Sequence, residues 1–198
     1  MKRTKEDAEQ TRKKLLETAF KEFMDTGFHK SNLESIASKA GVTRGAFYWH
    51  FNDKDHLIDS IIEYKDLESL TMVNEIINSD ADPFEKLKKL VSLNFPEFSS
   101  KAKEKKYVKM KVELYNYLNK NGDKRKIAEH FIRISKELLD ECKKRNELKT
   151  GMDTEAAAQT ILSICAGSYI RFNSLPKKLR SIQNSKKIAL DYLKLIHK

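Results

Sequence analysis

Apolar residues recur at helical spacing along the whole chain, and nowhere do they alternate as strand residues would. Leu15, Leu16, Ala19, Phe20, Phe23 and Met24 fall at i, i+1, i+4, i+5, i+8 and i+9 and predict a helix over 7–25, stopped by Gly27. Ser31-Asn32-Leu33-Glu34 fits an S-x-x-E capping box and opens a short helix to Ala40. Gly41 supplies a tight turn, and Thr43 is placed to cap a third helix through Tyr48 to His50. Asn52-Asp53 caps a fourth over 54–78, with further helices predicted at 83–98, 102–119, 123–146, 153–174 and 181–197. Pro96 should end or kink the fifth. The expectation is an all-α, nine-helix chain with no repeats. It divides into a small N-terminal unit, 1–54, and a larger one, 55–198, joined through the fourth helix without a linker.

Composition narrows the partners. Thirty-nine Lys and Arg against 29 Asp and Glu leave a net charge of +10 over 198 residues, so an acidic polymer is a natural partner. Solvated lysine faces alone also produce such a surplus, and position has to decide. No segment offers the roughly 18 uncharged apolar residues of a membrane span, and the N-terminus lacks the apolar run of a signal peptide, so a cytoplasmic protein without membrane contact is expected. Cys142 and Cys165 lie on different predicted helices with no CxxC spacing or nearby histidine cluster. They read as reduced packing residues, with no metal and no cofactor expected.

The N-terminal unit carries the most specific pattern. Two short helices crossing steeply need a small residue in the first and a glycine four later, the relation of Ala37 to Gly41. Ile36, Ala40, Val42 and Phe47 are the apolar locks, resting on the Phe20 and Phe23 face of the first helix. With these inward, the second short helix presents Thr43, Arg44, Gly45, Tyr48 and Trp49 outward. Arg44 can donate to guanine O6 and N7 or to a phosphate, Thr43 can touch a phosphate or a thymine methyl, and Gly45 lets the backbone approach the groove wall. Tyr48, Trp49 and His50 would brace phosphates or the sugar edge, and Lys54 points a cation toward the same backbone. Core packing is the competing reading of Tyr48 and Trp49, although Phe47 and Phe51 already occupy the inward positions. The basic cluster Lys2, Arg3, Lys5, Arg12, Lys13 and Lys14 is either a DNA-contacting arm or a solvated tail.

The stretch GFHKSNLESIASKAGVTRGAFYWHFNDKDHLIDSI, from Gly27 to Ile61, resembles the DNA-binding signature of the tetracycline-repressor (TetR) family, and GVTRGAFYWHF is especially similar to its multidrug efflux-pump repressors. The resemblance implies a three-helix DNA-binding domain, a long fourth helix, a divergent ligand-binding domain and a homodimer made by the last two helices. The family's usual contact positions fall on Thr43, Arg44, Gly45, Tyr48, Trp49, His50 and Lys54. The implied function is a repressor that binds a palindromic double-stranded DNA operator and is released by a small, largely apolar inducer. An activator, or a less sequence-specific DNA-binding protein of the same fold, is the alternative.

The remaining two thirds hold no motif, only faces. On the eighth helix Ile161, Leu162, Cys165, Tyr169 and Phe172 share one arc, opposite the small residues Ala156, Thr160, Ser163 and Gly167. The ninth has an apolar arc wider than half its circumference, so Ser163, Gly167, Leu190, Leu193 and Ile196 are expected at an intersubunit four-helix seam. A monomer core is the competing explanation. The large-residue arc of the eighth helix, with Phe95, Phe98, Met110, Leu114, Tyr117, Phe131 and Leu138, would line an apolar pocket or equally fill a core. Lys109 and Glu113 read as a surface i,i+4 pair. On the fourth helix Leu57, Ile61, Leu67, Leu70, Val73 and Ile77 are expected to run along the cavity domain. An enzyme is disfavoured, because His29, His50, His56, His130 and His197 are scattered and no E-x-x-H pair, nucleophile elbow or phosphate loop occurs.

Overall fold

The computed structural model describes residues 4–28, 30–121 and 124–198; His29, Lys2 and Arg3 lie outside the described residues. Among the described residues the chain forms nine α-helices: α1 (Lys5–Thr26), α2 (Leu33–Lys39), α3 (Arg44–His50), α4 (Lys54–Ile77), α5 (Pro83–Ser92), α6 (Lys101–Asn121), α7 (Lys124–Lys144), α8 (Thr154–Ile170) and α9 (Ile182–Ile196). Two 3-10 turns, Phe172–Ser174 and Lys177–Leu179, separate α8 from α9 around Pro176. No described helix is long and apolar enough to cross a membrane.

The chain packs as two compact units, the first ending at Met72 and the second beginning at Val73. The break in packing thus falls inside α4, eighteen residues beyond the 54/55 boundary that the motif suggests. The reason is that Leu57, Ile58 and Ile61 of α4 are buried in the first unit, and Tyr64 reaches Glu17 of α1, its hydroxyl donating to the carboxylate at 3.2 Å. Leu67 and Leu70, expected along the cavity domain, are exposed. Val73 and Ile77 do pack on the second core.

In the first unit Leu15, Leu16, Ala19 and Phe23 of α1 are buried, as are Ile36, Ala37, Ala40, Phe47 and Phe51, whereas Phe20 and Val42, also expected inward, are only half-buried. Each large side chain so buried contributes on the order of 2 kcal/mol. The capping of α2 differs from the expected box. Asn32 is the cap, its side chain accepting from the Glu34 N–H at 2.8 Å, while the Ser31 hydroxyl donates to the Phe28 carbonyl at 2.8 Å. An asparagine one residue nearer the helix reaches its first turn, and Ser31 is drawn into the preceding loop. The reciprocal capping box occurs instead at α1, between Thr4 and Asp7. Asp53 caps α4 through the His56 N–H at 2.7 Å.

In the second unit α5, α7, α8 and α9 enclose one core containing Phe84, Leu87, Leu139, Ala158, Ile161 and Leu193. Asp82 caps α5 with Pro83 at its first position, but the helix ends at Ser92 rather than 98. Asn94, Phe95 and Pro96 turn the chain, and Phe95 is buried there. The C-terminus is pinned: Lys198 N–H donates to the Glu147 carbonyl at 2.8 Å, Lys149 N–H to the Ile196 carbonyl at 3.0 Å, and the His197 ring lies on Phe84.

Candidate nucleic-acid interface and ligand cavity

The interface is built by the turn between α2 and α3. Gly41 has φ +68°, the left-handed conformation that closes a helix with two bonds, Val42 N–H to the Ala37 carbonyl and Gly41 N–H to the Ser38 carbonyl. A side chain at Gly41 would be strained, and the Lys14 ammonium lies near its open face. Thr43 then caps α3, its hydroxyl accepting from the Ala46 N–H at 3.1 Å. Below this turn the nearly buried Glu22 of α1 is salt-bridged to Lys39 of α2, a tie between the helices that periodicity did not reveal.

With Phe47 buried, α3 turns its other side to solvent. Thr43, Arg44 and Gly45 are exposed, Tyr48 is 41% and Trp49 73% exposed, and His50 is half-buried with its ring edge-on to Trp49 at 4.6 Å. Burial of the indole, the competing reading from sequence, does not occur. Arg44 is held from two sides: its guanidinium is 2.8 Å from Glu34 Oε1 and lies over the Tyr48 ring at 5.6 Å. Its side chain remains largely exposed and free to exchange the carboxylate for a base or phosphate. Lys54 behaves otherwise than expected. Its ammonium donates to the Ser31 carbonyl at 2.9 Å, and burial lowers its pKa, so it first serves as a tie between α4 and the loop before α2. Of the N-terminal basic residues, Lys5, Lys13 and Lys14 are exposed, while Arg12 lies over the buried Phe51 ring at 5.5 Å.

The second unit contains a partly open cavity of ≈170 Å³ between α6 and α8. Val112, Leu162, Ala166 and Ile170 form its apolar walls, and Asn94, Lys111, Cys165 and Tyr169 complete it. Of the residues expected to line a pocket, Leu162, Cys165 and Tyr169 line this one. Phe95, Leu138, Ile161 and Phe172 are filled into the core, with Phe98 and Phe131 packed against it. Met110 is buried and Leu114 is half-buried, and neither they nor Tyr117 belong to the cavity lining. Tyr169 donates its hydroxyl to the Asn94 carbonyl, and burial raises its pKa. Burial likewise pushes the Cys165 thiol up to about 12. Lys111, Val112, Ala166 and Ile170 were missed because helical arcs identify a face, not the gap between two faces. Lys109 and Glu113 form the expected pair at 3.7 Å.

The expected dimer residues divide. Ser163 is exposed, while Gly167 and Leu190 are half-buried. Leu193 and Ile196, at 0% and 3% exposure, belong to the core of their own chain and are not free for a seam. On α9 the apolar side chains left to solvent are Ile188 and Leu195. Among the described residues no group of three His, Cys, Asp or Glu gathers to hold a metal ion.

A glycine-turned pair of short helices, the second exposing Thr43, Arg44, Gly45, Tyr48 and Trp49, defines a DNA-binding helix-turn-helix regulator. Residues 15–61 match the family of bacterial regulatory proteins, tetR family. It is 28% identical to the HTH-type transcriptional regulator TtgR of Pseudomonas putida, over 98% of this chain and 97% of the relative. Among solved structures, a TetR transcription regulator from Haloarcula marismortui superposes with a TM-score of 0.79 at 14% identity, covering 96% of this chain and all of the other. NalD, the secondary repressor of the MexAB-OprM multidrug efflux pump in Pseudomonas aeruginosa, is similar at 25% identity over 98% of both chains, with a TM-score of 0.64.

Proposed function

We propose that the chain is a transcriptional repressor that binds a palindromic operator as a homodimer and is released by a small, largely apolar inducer entering the second unit. The carrying observation is the outward set on α3, above all Arg44, exposed with its guanidinium beside Glu34 and over the Tyr48 ring. Thr43, Gly45, Tyr48, Trp49 and His50 position it on the duplex, and Lys54 holds the α4 end of the unit. The exposed small face of α8, with Ile188, Leu190 and Leu195 on α9, supports the dimer. A two-fold pair of reading helices about 34–36 Å apart, or a multiple, spans successive major grooves. NalD's role, carried by a likeness over nearly the full length, supports an efflux pump as the regulated target. Release works through α4, which gives Leu57 and Ile61 to the first core and Val73 and Ile77 to the second. A tenfold loss of DNA affinity requires about 1.4 kcal/mol of coupling, and operator must weaken the inducer by the same factor.

Footprinting and titration with Arg44→Ala test the reading. If Arg44 reads a base, operator affinity falls by about 1–3 kcal/mol while binding to random DNA changes far less. Equal loss on both DNAs would reduce Arg44 to a phosphate contact and remove the basis for sequence-specific repression.

A further inference from the structure

We propose that the cavity between α6 and α8 binds a single-ring aromatic carboxylate, the ring against its aliphatic walls and the anion paired with Lys111. The proposal rests on the reading of the second unit as ligand-binding and adds the ligand's chemistry.

Size, walls and charge converge on that class. At ≈170 Å³ the cavity is close to the about 150 Å³ apolar cavity that accepts benzene, and below the about 300 Å³ at which drug-sized pockets begin. Val112, Leu162, Ala166 and Ile170 offer a ring aliphatic contact without a competing polar group. The tyrosine hydroxyl at the cavity is spent as a donor on the Asn94 carbonyl, which leaves Lys111 as its strong donor.

Lys111 is also the lining residue with a charge to satisfy. Its ammonium lies 5.7 Å from the Tyr107 ring centroid, and among the described residues it forms no salt bridge. The carboxylates nearest it along α6 are engaged elsewhere, Glu113 beside Lys109 and Glu104 accepting from the Ile182 N–H at the start of α9. The Tyr107 ring that faces this ammonium is itself 6.1 Å from the ring of Tyr169, a lining residue of the cavity. A cation at the rim of an apolar cavity admits a carboxylate on an apolar body, favours a neutral analogue less, and repels an ammonium.

Calorimetric titration of the full chain with benzoate, benzyl alcohol and benzylamine tests this. Benzoate is expected to bind at least tenfold more tightly than benzyl alcohol, with benzylamine weakest. Lys111→Met should bring benzoate down to the level of benzyl alcohol, whereas Lys109→Met, on the same helix beside Glu113, should leave it unchanged. Ala166→Phe, or Val112→Phe should the first misfold by circular dichroism, should abolish both. Benzoate binding no tighter than benzyl alcohol, or unaffected by Lys111→Met, overturns the proposal. Operator titration separates it from the inducer reading. Benzoate bound through Lys111 without loss of operator affinity keeps the ligand class and defeats that reading. Operator release by a neutral or cationic compound, with benzoate unbound, does the opposite.

Discussion

Trp49 is the chain's only tryptophan, and at 73% exposure its indole reports on one spot of the α3 surface. The free protein should emit as a solvated indole, and operator should quench or blue-shift that emission in proportion to binding. A spectrum unchanged at saturating operator would place Trp49 off the DNA. The cysteines make a second residue-scale prediction. Burial raises both thiols to about 12, so at pH 8 they stay protonated and covered. Ellman's reagent should therefore label neither in the native protein and both after denaturation; rapid native labelling of Cys165 would mean that the cavity opens far wider. At this scale the outward set was legible because Phe47 and Phe51 claim the inward positions at helical spacing. The Arg44–Glu34 pair and the turn of Lys54 toward Ser31 were not, since a long side chain's partner is set by which backbone passes within its reach.

The helices themselves follow from local chemistry, and their ends are where local signals compete. Asn32 and Ser31 both suit the start of α2, and the structure gives the cap to Asn32. Asn32→Ala should cost about 1 kcal/mol in denaturant unfolding, and Glu34→Ala, which removes a side chain that does not bond back to the cap, should cost much less. Equal losses would restore the S-x-x-E box. Thr43→Ser should keep both the α3 cap and stability, while Thr43→Val should lose about 1 kcal/mol. At α5 periodicity continues past the true end, because Phe95 and Phe98 repeat at helical spacing although Pro96 forbids the bonds that would extend the helix. Apolar period marks burial, not backbone conformation.

For the whole molecule, the exposure of α9 predicts which changes touch a dimer and which touch the fold. Leu195→Glu, at a site 64% exposed, should leave a folded chain that sediments as a monomer. Leu193→Glu should unfold it, because it buries an unpaired charge in the chain's own core. A Cβ at Gly167 meets no atom within 4 Å in the single chain, so Gly167→Leu too should fold and lose only a partner's close approach. Dimers retained by both Leu195→Glu and Gly167→Leu would move the interface off α8 and α9. The sequence by itself determined the helical class, the order of the elements, the glycine turn and the exposed face of α3, because each depends on spacing within about one or two helical turns. Only the tertiary structure decided that Leu193 and Ile196 face inward, that α4 is divided between two cores at Met72, and that a gap lined by Lys111 lies between α6 and α8. These depend on which distant helix covers an apolar arc, and an arc wide enough for two partners does not say which residues the first of them takes.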